Sequence, residues 1–321
     1  MRRAWLIMLA AAWPSPATAQ RPWPPERLEN LEVLPDTMPV RELVTLMAGF
    51  TRALGVRCTH CHVGEESQPL SAYDFPSDEK PAKRKAREML RMVRAINGQY
   101  LSGLETRQDP PVEVQCITCH RGIAAPRTLQ ETLLLAYRAG GLDSTFATYA
   151  TLRRQYFGGA AYDFGEVALA DVAAAVTRSG NAGDAERLYA ANVEHNPQSR
   201  FAQRQHGRFA VERAFADSGP AAGTARYGAL RTVYGQEAFP EGLMNELGYA
   251  LLRRAKRAEA VAAFTLNVDA FPRSANAQDS LGEAYAAAGD TARAIASYER
   301  SLELDPDNAN AIRKLEALRG R

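Results

Sequence analysis

Residues 58–62 read Cys-Thr-His-Cys-His, and residues 116–120 read Cys-Ile-Thr-Cys-His. Together they hold all four cysteines of the chain and three of its five histidines. A thiol pair three residues apart can form a disulfide, bind zinc, cycle as a redox dithiol, or anchor an iron porphyrin. The spacing C-x-x-C-H is that of c-type haem attachment. On one helical turn, cysteines at i and i+3 share a face and can meet the two vinyl groups of one porphyrin. The histidine at i+4 then rises beneath the iron as its proximal ligand.

The other chemistries fit less well. A four-cysteine zinc site would join motifs separated by residues 62–115, against the usual spacing of about 15–20 residues, and would give the two histidines no task. A thioredoxin-like dithiol wants a strand–helix–strand context, which neither motif has. Pairing between motifs would also idle the histidines. Two such motifs with no other cysteine point to two covalently attached haem c groups. Cys58, Cys61, Cys116 and Cys119 would form the thioethers, and His62 and His120 would ligate iron.

Each iron then needs a sixth ligand or an open position. Two segments upstream have helical periodicity. In residues 39–54, Leu43, Leu46, Met47, Phe50 and Leu54 form an i, i+3, i+4 stripe; in residues 81–97, Ala86, Met89, Leu90, Val93 and Ile96 do the same. Met47, Met89 and Met92 can be packing residues or iron ligands on this pattern alone. The second segment is also basic. Lys80, Lys83, Arg84, Lys85, Arg87, Arg91 and Arg94 stand against one acid, Glu88. That charge reads as a solvated face, as pairing with haem propionates, or as a surface steering an acidic redox partner. Arg121, beside the second histidine, is the nearer propionate candidate. His60, His195 and His206 belong to no motif.

The compartment follows from the N-terminus. Arg2 and Arg3, an apolar run from Ala4 to Trp13, and Ala17-Thr18-Ala19 make a secretory signal over residues 1–19. The run is half the ~20 residues a membrane span needs, and no cysteine precedes Cys58 for lipid attachment. The expectation is a periplasmic protein, or one on the outer face of the cytoplasmic membrane, beginning near Gln20. The net charge of +2 carries no message about nucleic acid.

After Pro126 the texture shifts to alanine, leucine and arginine. Residues 243–274 align with 277–308: Leu247-Gly248 with Leu281-Gly282, Ala260 with Ala294, Phe264 with Tyr298, Pro272 with Pro306. Every offset equals the tetratricopeptide period of about 34 residues. The glycines let two helices approach, alanines and an aromatic fill the gap, and proline follows the second helix. A weaker copy holds Ala185, Tyr189 and Pro197, a degenerate unit holds Gly207, and residues 308–321 read as a polar capping helix. The expected fold class is mainly α. A di-haem domain over 20–126 is followed by a helical connector over 127–165 and a tetratricopeptide-like solenoid over 166–321.

Over about residues 28–126, through the methionine segment at 39–54 and "MLRMVRAIN" (89–97) to "CITCHRGIAAP" (116–126), the chain resembles the cytochrome c subunit of photosynthetic reaction centres. The likeness covers the half of that subunit carrying its first two haems. It implies Met47 as the partner of His62 and Met89 as the partner of His120, with Met92 beside the haem rather than on the iron. His/Met ligation implies closed, high-potential irons suited to carrying electrons. The family's full subunit has four haems; here two motifs are followed by repeats. The expected function is therefore electron transfer without catalysis. The partners would be reaction-centre or respiratory donors and acceptors, with a protein docked on the repeats and membrane association through a partner. Two other classes remain: a di-haem peroxidase-like enzyme with one five-coordinate iron, and a redox-sensing scaffold in which the repeats dominate.

Overall fold

In a computed structural model of the protein, residues 23–105 and 109–320 are described. The expected leader, residues 1–19, lies outside them. The chain divides into two compact units, Met1–Arg127 with Gly159–Ala161, and Thr128–Gly158 with Tyr162–Arg321. The fold is mainly α. Among the described residues no strand forms, and one isolated bridge joins Val63 to Asp74.

The first unit contains α1 (Val40–Leu54), α2 (Pro81–Ala95) and the short α3 (Cys116–His120). Proline stands at the first position of α2, where its missing N–H costs nothing. A π-type turn over Ile96–Leu101 extends α2 and presents Asn97 to the extended approach of the second motif. Asn97 Nδ2 donates to the Val114 carbonyl at 2.9 Å, and the Val114 N–H donates to Asn97 Oδ1 at 2.8 Å. Gly55 caps α1 in the left-handed conformation, φ 65°. There the Gly122 N–H donates to the Ala53 carbonyl at 2.9 Å. A Cβ on Gly55 would lie 2.0 Å from the Gly122 carbonyl oxygen, so only glycine permits this approach. The end of the first methionine helix is thus seated against the exit of the second motif.

The second unit runs from α4 (Leu129–Tyr156) through α5 (Glu166–Arg178), α6 (Ala182–His195), α7 (Arg200–Tyr234), α8 (Glu241–Arg253), α9 (Arg257–Ala270), α10 (Ala275–Ala288) and α11 (Thr291–Leu304) to α12 (Ala309–Arg319). Each helix packs on the next along the chain, beginning with α4 on α5. The repeat logic holds in space. Cβ atoms placed on Gly248 and Gly282 would sit 2.5 Å and 2.8 Å from the rings of Phe264 and Tyr298. The degenerate unit solves the same problem differently. Gly207 accommodates Phe239, from beyond the far end of its own long helix, and Gly223 accommodates Phe215. α7 breaks at Gly219, φ 84°, where Pro220 removes a donor and fixes the new direction.

Fully buried Leu133, Leu169, Leu188, Phe215, Phe239, Met244, Leu247, Phe264 and Tyr298 hold the second unit. Each such side chain contributes about 1.5–3 kcal/mol relative to exposure. The first unit differs. Among the described residues from 23 to 127, the buried apolar side chains are Ala53, Tyr73 and Ile123.

Candidate haem-attachment site

Both motifs occupy single helical turns. In the first, the His62 N–H donates to the Cys58 carbonyl at 2.9 Å and the Cys61 N–H to the same oxygen at 3.2 Å. In the second, α3 is entered through Gln115, whose N–H donates to Thr118 Oγ1 at 3.0 Å. It ends at Arg121, left-handed at φ 48°, which turns the chain so that Gly122 reaches α1. All four cysteines are free thiols, three of them half-buried and Cys119 exposed. Burial pushes the Cys61 and Cys116 thiols up. Among the described residues no cluster of three or more His, Cys, Asp or Glu that could hold a metal ion forms.

The histidines are oriented by backbone oxygens. His62 Nδ1 lies 3.3 Å from the Phe75 carbonyl, and His120 Nδ1 lies 3.0 Å from the Ile123 carbonyl. A carbonyl oxygen only accepts, so Nδ1 carries a proton in both rings, which leaves Nε2 as the atom directed away to ligate. A bond of this kind behind the ring fixes an imidazole's tautomer and direction for metal ligation. His62 is further held by the Phe75 ring, edge-on at 4.9 Å, within a cluster that includes Tyr73 and Trp23. Burial, together with the positive charges of Lys83 and Lys80, lowers the His62 pKa against the opposing pull of its Phe75 bond. That keeps it neutral, as a ligand must be. A cavity of about 260 Å³ opens beside Cys58, lined also by Thr51, Val56, Arg57, Glu66 and Tyr73.

The methionines lie on the helices expected for them. Met47 is half-buried on α1; Met89 and Met92 on α2 are 42% and 44% exposed. The stripes of both helices are partly exposed along their length. Two amphipathic helices with so little buried protein around them suit a large flat apolar ligand, and the free, paired cysteines and Nδ1-bonded histidines suit haem c in particular.

The basic residues of α2 have a role the sequence did not disclose. Lys80 donates to the Thr59 carbonyl inside the first motif. Lys83 Nζ reaches the carbonyls of Phe75, Pro76 and Ser77 at 2.9, 2.8 and 2.9 Å, and Asp78 Oδ1 at 3.1 Å. Arg84 bonds the carbonyls of Asp78 and Glu79. Arg87, buried, bonds Asp78 Oδ2 at 2.9 Å, Glu32 at 3.1 Å and the Asn30 carbonyl at 3.1 Å. Arg91 pairs with Glu88 and Glu32, and Arg94 bonds the Val33 carbonyl. These side chains clip the segments 30–33 and 75–79 onto α2. Hydrogen bonding by Arg87 holds the Asp78 carboxyl well below the usual carboxylate range. Arg121 and His60 are exposed, His195 is exposed beside Tyr149, and His206 is buried with Nδ1 2.7 Å from the Tyr234 hydroxyl.

Residues 14–133 match the family model of the photosynthetic reaction centre cytochrome C subunit. The first unit is cytochrome-like. Residues 275–308 match the tetratricopeptide repeat model. Cytochrome c-554 of Chloroflexus aurantiacus is 31% identical over 138 residues, 40% of this chain and 28% of that protein. The chain therefore spans little more than a quarter of that relative. Among solved structures, a thermophilic tetratricopeptide protein of Thermus thermophilus aligns at TM-score 0.29 and 14% identity, covering 60% of this chain and 98% of its own. YrrB, a tetratricopeptide protein with an unusual peptide-binding site, aligns at 0.30 and 13%, covering 58% and 89%. The cytochrome match covers both C-x-x-C-H motifs and implies covalently bound haem c.

Proposed function

We propose that the protein is an exported di-haem c-type cytochrome that transfers electrons and docks a protein partner through its repeats. Cys58 and Cys61 hold one haem, Cys116 and Cys119 the other. His62 with Met47 and His120 with Met89 are the axial pairs. When bound, each haem supplies a one-electron couple, and His/Met ligation favours a relatively high potential. The observation that carries the reading is the shared Nδ1-to-carbonyl geometry of His62 and His120 directly after paired free cysteines. The chain's own contribution is to present two imidazoles each oriented by an Nδ1–H bond to a backbone carbonyl, to lay an apolar methionine helix beside each motif, and to brace the first site with the clips of α2.

The di-haem domain extends over residues 20–126, followed by a connector over 127–165 and the repeat domain over 166–321. Residues 1–19 direct export to the periplasm or the outer membrane face, and no described helix is long and apolar enough to cross a membrane. Redox partners are reaction-centre or respiratory proteins, with membrane association through one of them.

Covalent haem per chain and low-temperature electron paramagnetic resonance of the oxidised protein test the reading. Two haems with methionine-type low-spin signals support it. One high-spin iron moves the assignment to a di-haem enzyme or sensor, and absence of covalent haem from cytochrome-maturing cells sinks it.

A further inference from the structure

The two histidines are held by the same kind of bond but not by equivalent acceptors. The Ile123 carbonyl receives His120 Nδ1–H at 3.0 Å, at the centre of the usual N–H···O range, and no other donor to it is among the described hydrogen bonds. The Phe75 carbonyl receives His62 Nδ1–H at 3.3 Å, just beyond that range, and also receives Lys83 Nζ at 2.9 Å. Lys83 is half-enclosed, with 13% of its side chain exposed, and its ammonium is shared among three carbonyls and Asp78. It is therefore a fixed cation one oxygen atom away from the proximal imidazole.

We propose that Lys83 is a positioning residue that raises the reduction potential of the first haem site while leaving the second untouched. The inference rests on the haem assignment above and acts through two effects of the same sign. An ammonium already donating to the Phe75 oxygen lessens what that oxygen can accept from His62. The imidazole then keeps its proton more fully and donates less to ferric iron, whereas a strong Nδ1–H bond raises ligand basicity. The cation also disfavours the added positive charge of the ferric state through a partly buried medium. Asp78, an anion shared between Lys83 and Arg87, moderates the second effect. It leaves the competition at the Phe75 oxygen in place.

The test uses the full-length holoprotein from a cytochrome-maturing host. Covalent haem content and the low-spin methionine-type spectrum are recorded first, so that failure of the haem assignment is seen separately. Potentiometric titration then compares the unaltered protein with Lys83→Met and Asp78→Asn. Lys83→Met lowers one of the two midpoint potentials, by at least a tenfold change in that equilibrium constant, about 59 mV for one electron, and leaves the other in place. Asp78→Asn removes the anion that draws on the same ammonium and moves the same potential upward, a sign reversal that mere loosening of the loop does not produce. Two potentials that stay put, or move together, with haem content intact overturn the proposal.

Should Lys83→Met fail to retain haem, the reduced unaltered protein still decides the matter. Proton magnetic resonance reads the two axial Nδ1–H protons. One is expected upfield and faster to exchange than the other, and equivalent protons overturn the proposal.

Discussion

Replacing Gly55 by alanine puts the seating of α1 to a direct test. The residue sits at φ 65°, and its Cβ would lie 2.0 Å from the Gly122 carbonyl oxygen and 2.9 Å from the carbonyl carbon. Holding an alanine in the left-handed region costs about 1–2 kcal/mol. The contact is with backbone on both sides, so no side chain can swing away, and residues 121–122 must move. That movement breaks the bond from the Gly122 N–H to the Ala53 carbonyl, worth about 0.5–1.5 kcal/mol net. Together these come to about 2–3 kcal/mol. At about 4–8 °C per kcal/mol for a domain of this size, the haem unit should melt about 10–20 °C lower. The assay is a thermal scan of the holoprotein followed by circular dichroism in the haem absorption band, which reports the first unit without the solenoid. Gly49→Ala is the control. Gly49 lies inside α1, and a Cβ added there would meet nothing within 4 Å, so alanine should stabilise by about 0.5–1 kcal/mol. A Gly55→Ala protein melting within about 3 °C of the unaltered one, less than about 1 kcal/mol, would refute the reasoning.

Four further outcomes are expected. Arg87→Met removes the buried guanidinium that joins Asp78, Glu32 and the Asn30 carbonyl and should lower the midpoint of the first unit in denaturant titration, with the second unit unchanged. Tyr298 is fully buried and its hydroxyl has no partner among the described atoms, so Tyr298→Phe should leave the second unit equally stable or raise it by about 1 kcal/mol. Gly282→Ala drives a methyl into the Tyr298 ring and should cost the second unit about 1–3 kcal/mol, with haem spectra unchanged. Burial lowers His206 to about 4, while an unfolded histidine titrates near 6.5. The unfolded chain therefore binds the extra proton between those values, and the second unit should lose stability as pH falls from about 6.5 to about 4. The loss is on the order of 3 kcal/mol at about 1.36 kcal/mol per unit, and a His206→Gln variant should flatten the profile.

What could be read from sequence was whatever depends on residue type at fixed spacing. The two C-x-x-C-H turns, the methionine stripes of α1 and α2, and the glycine–aromatic contacts of Gly248 with Phe264 and Gly282 with Tyr298 are all of this kind. The acceptors that orient His62 and His120 are backbone carbonyls of Phe75 and Ile123. Every residue has a carbonyl, so no letter in the sequence marks them. The clips of α2 were hidden for a different reason. Arg87 and Arg94 bond residues about sixty positions upstream, and charge alone does not say whether a side chain faces water or a distant loop. The break at Gly219-Pro220 did carry a signal, a Gly-Pro pair inside a helical pattern. The degenerate repeat concealed how Gly207 and Gly223 would be filled, because their aromatic partners sit off the regular repeat positions.

The cations of α2 differ in what they hold. Lys83 and Arg87 meet carboxylates, but Lys80, Arg84 and Arg94 are bonded to neutral carbonyl oxygens. A cation so bonded is immobilised without being neutralised. Its field still extends about one Debye length, some ~8–10 Å, into the surrounding solution. An approaching anionic surface would meet charges already fixed in place, and would bear little of the side-chain ordering cost that flexible lysines and arginines normally impose on an encounter. The residues that brace the first unit thus also give it a rigid electrostatic outline.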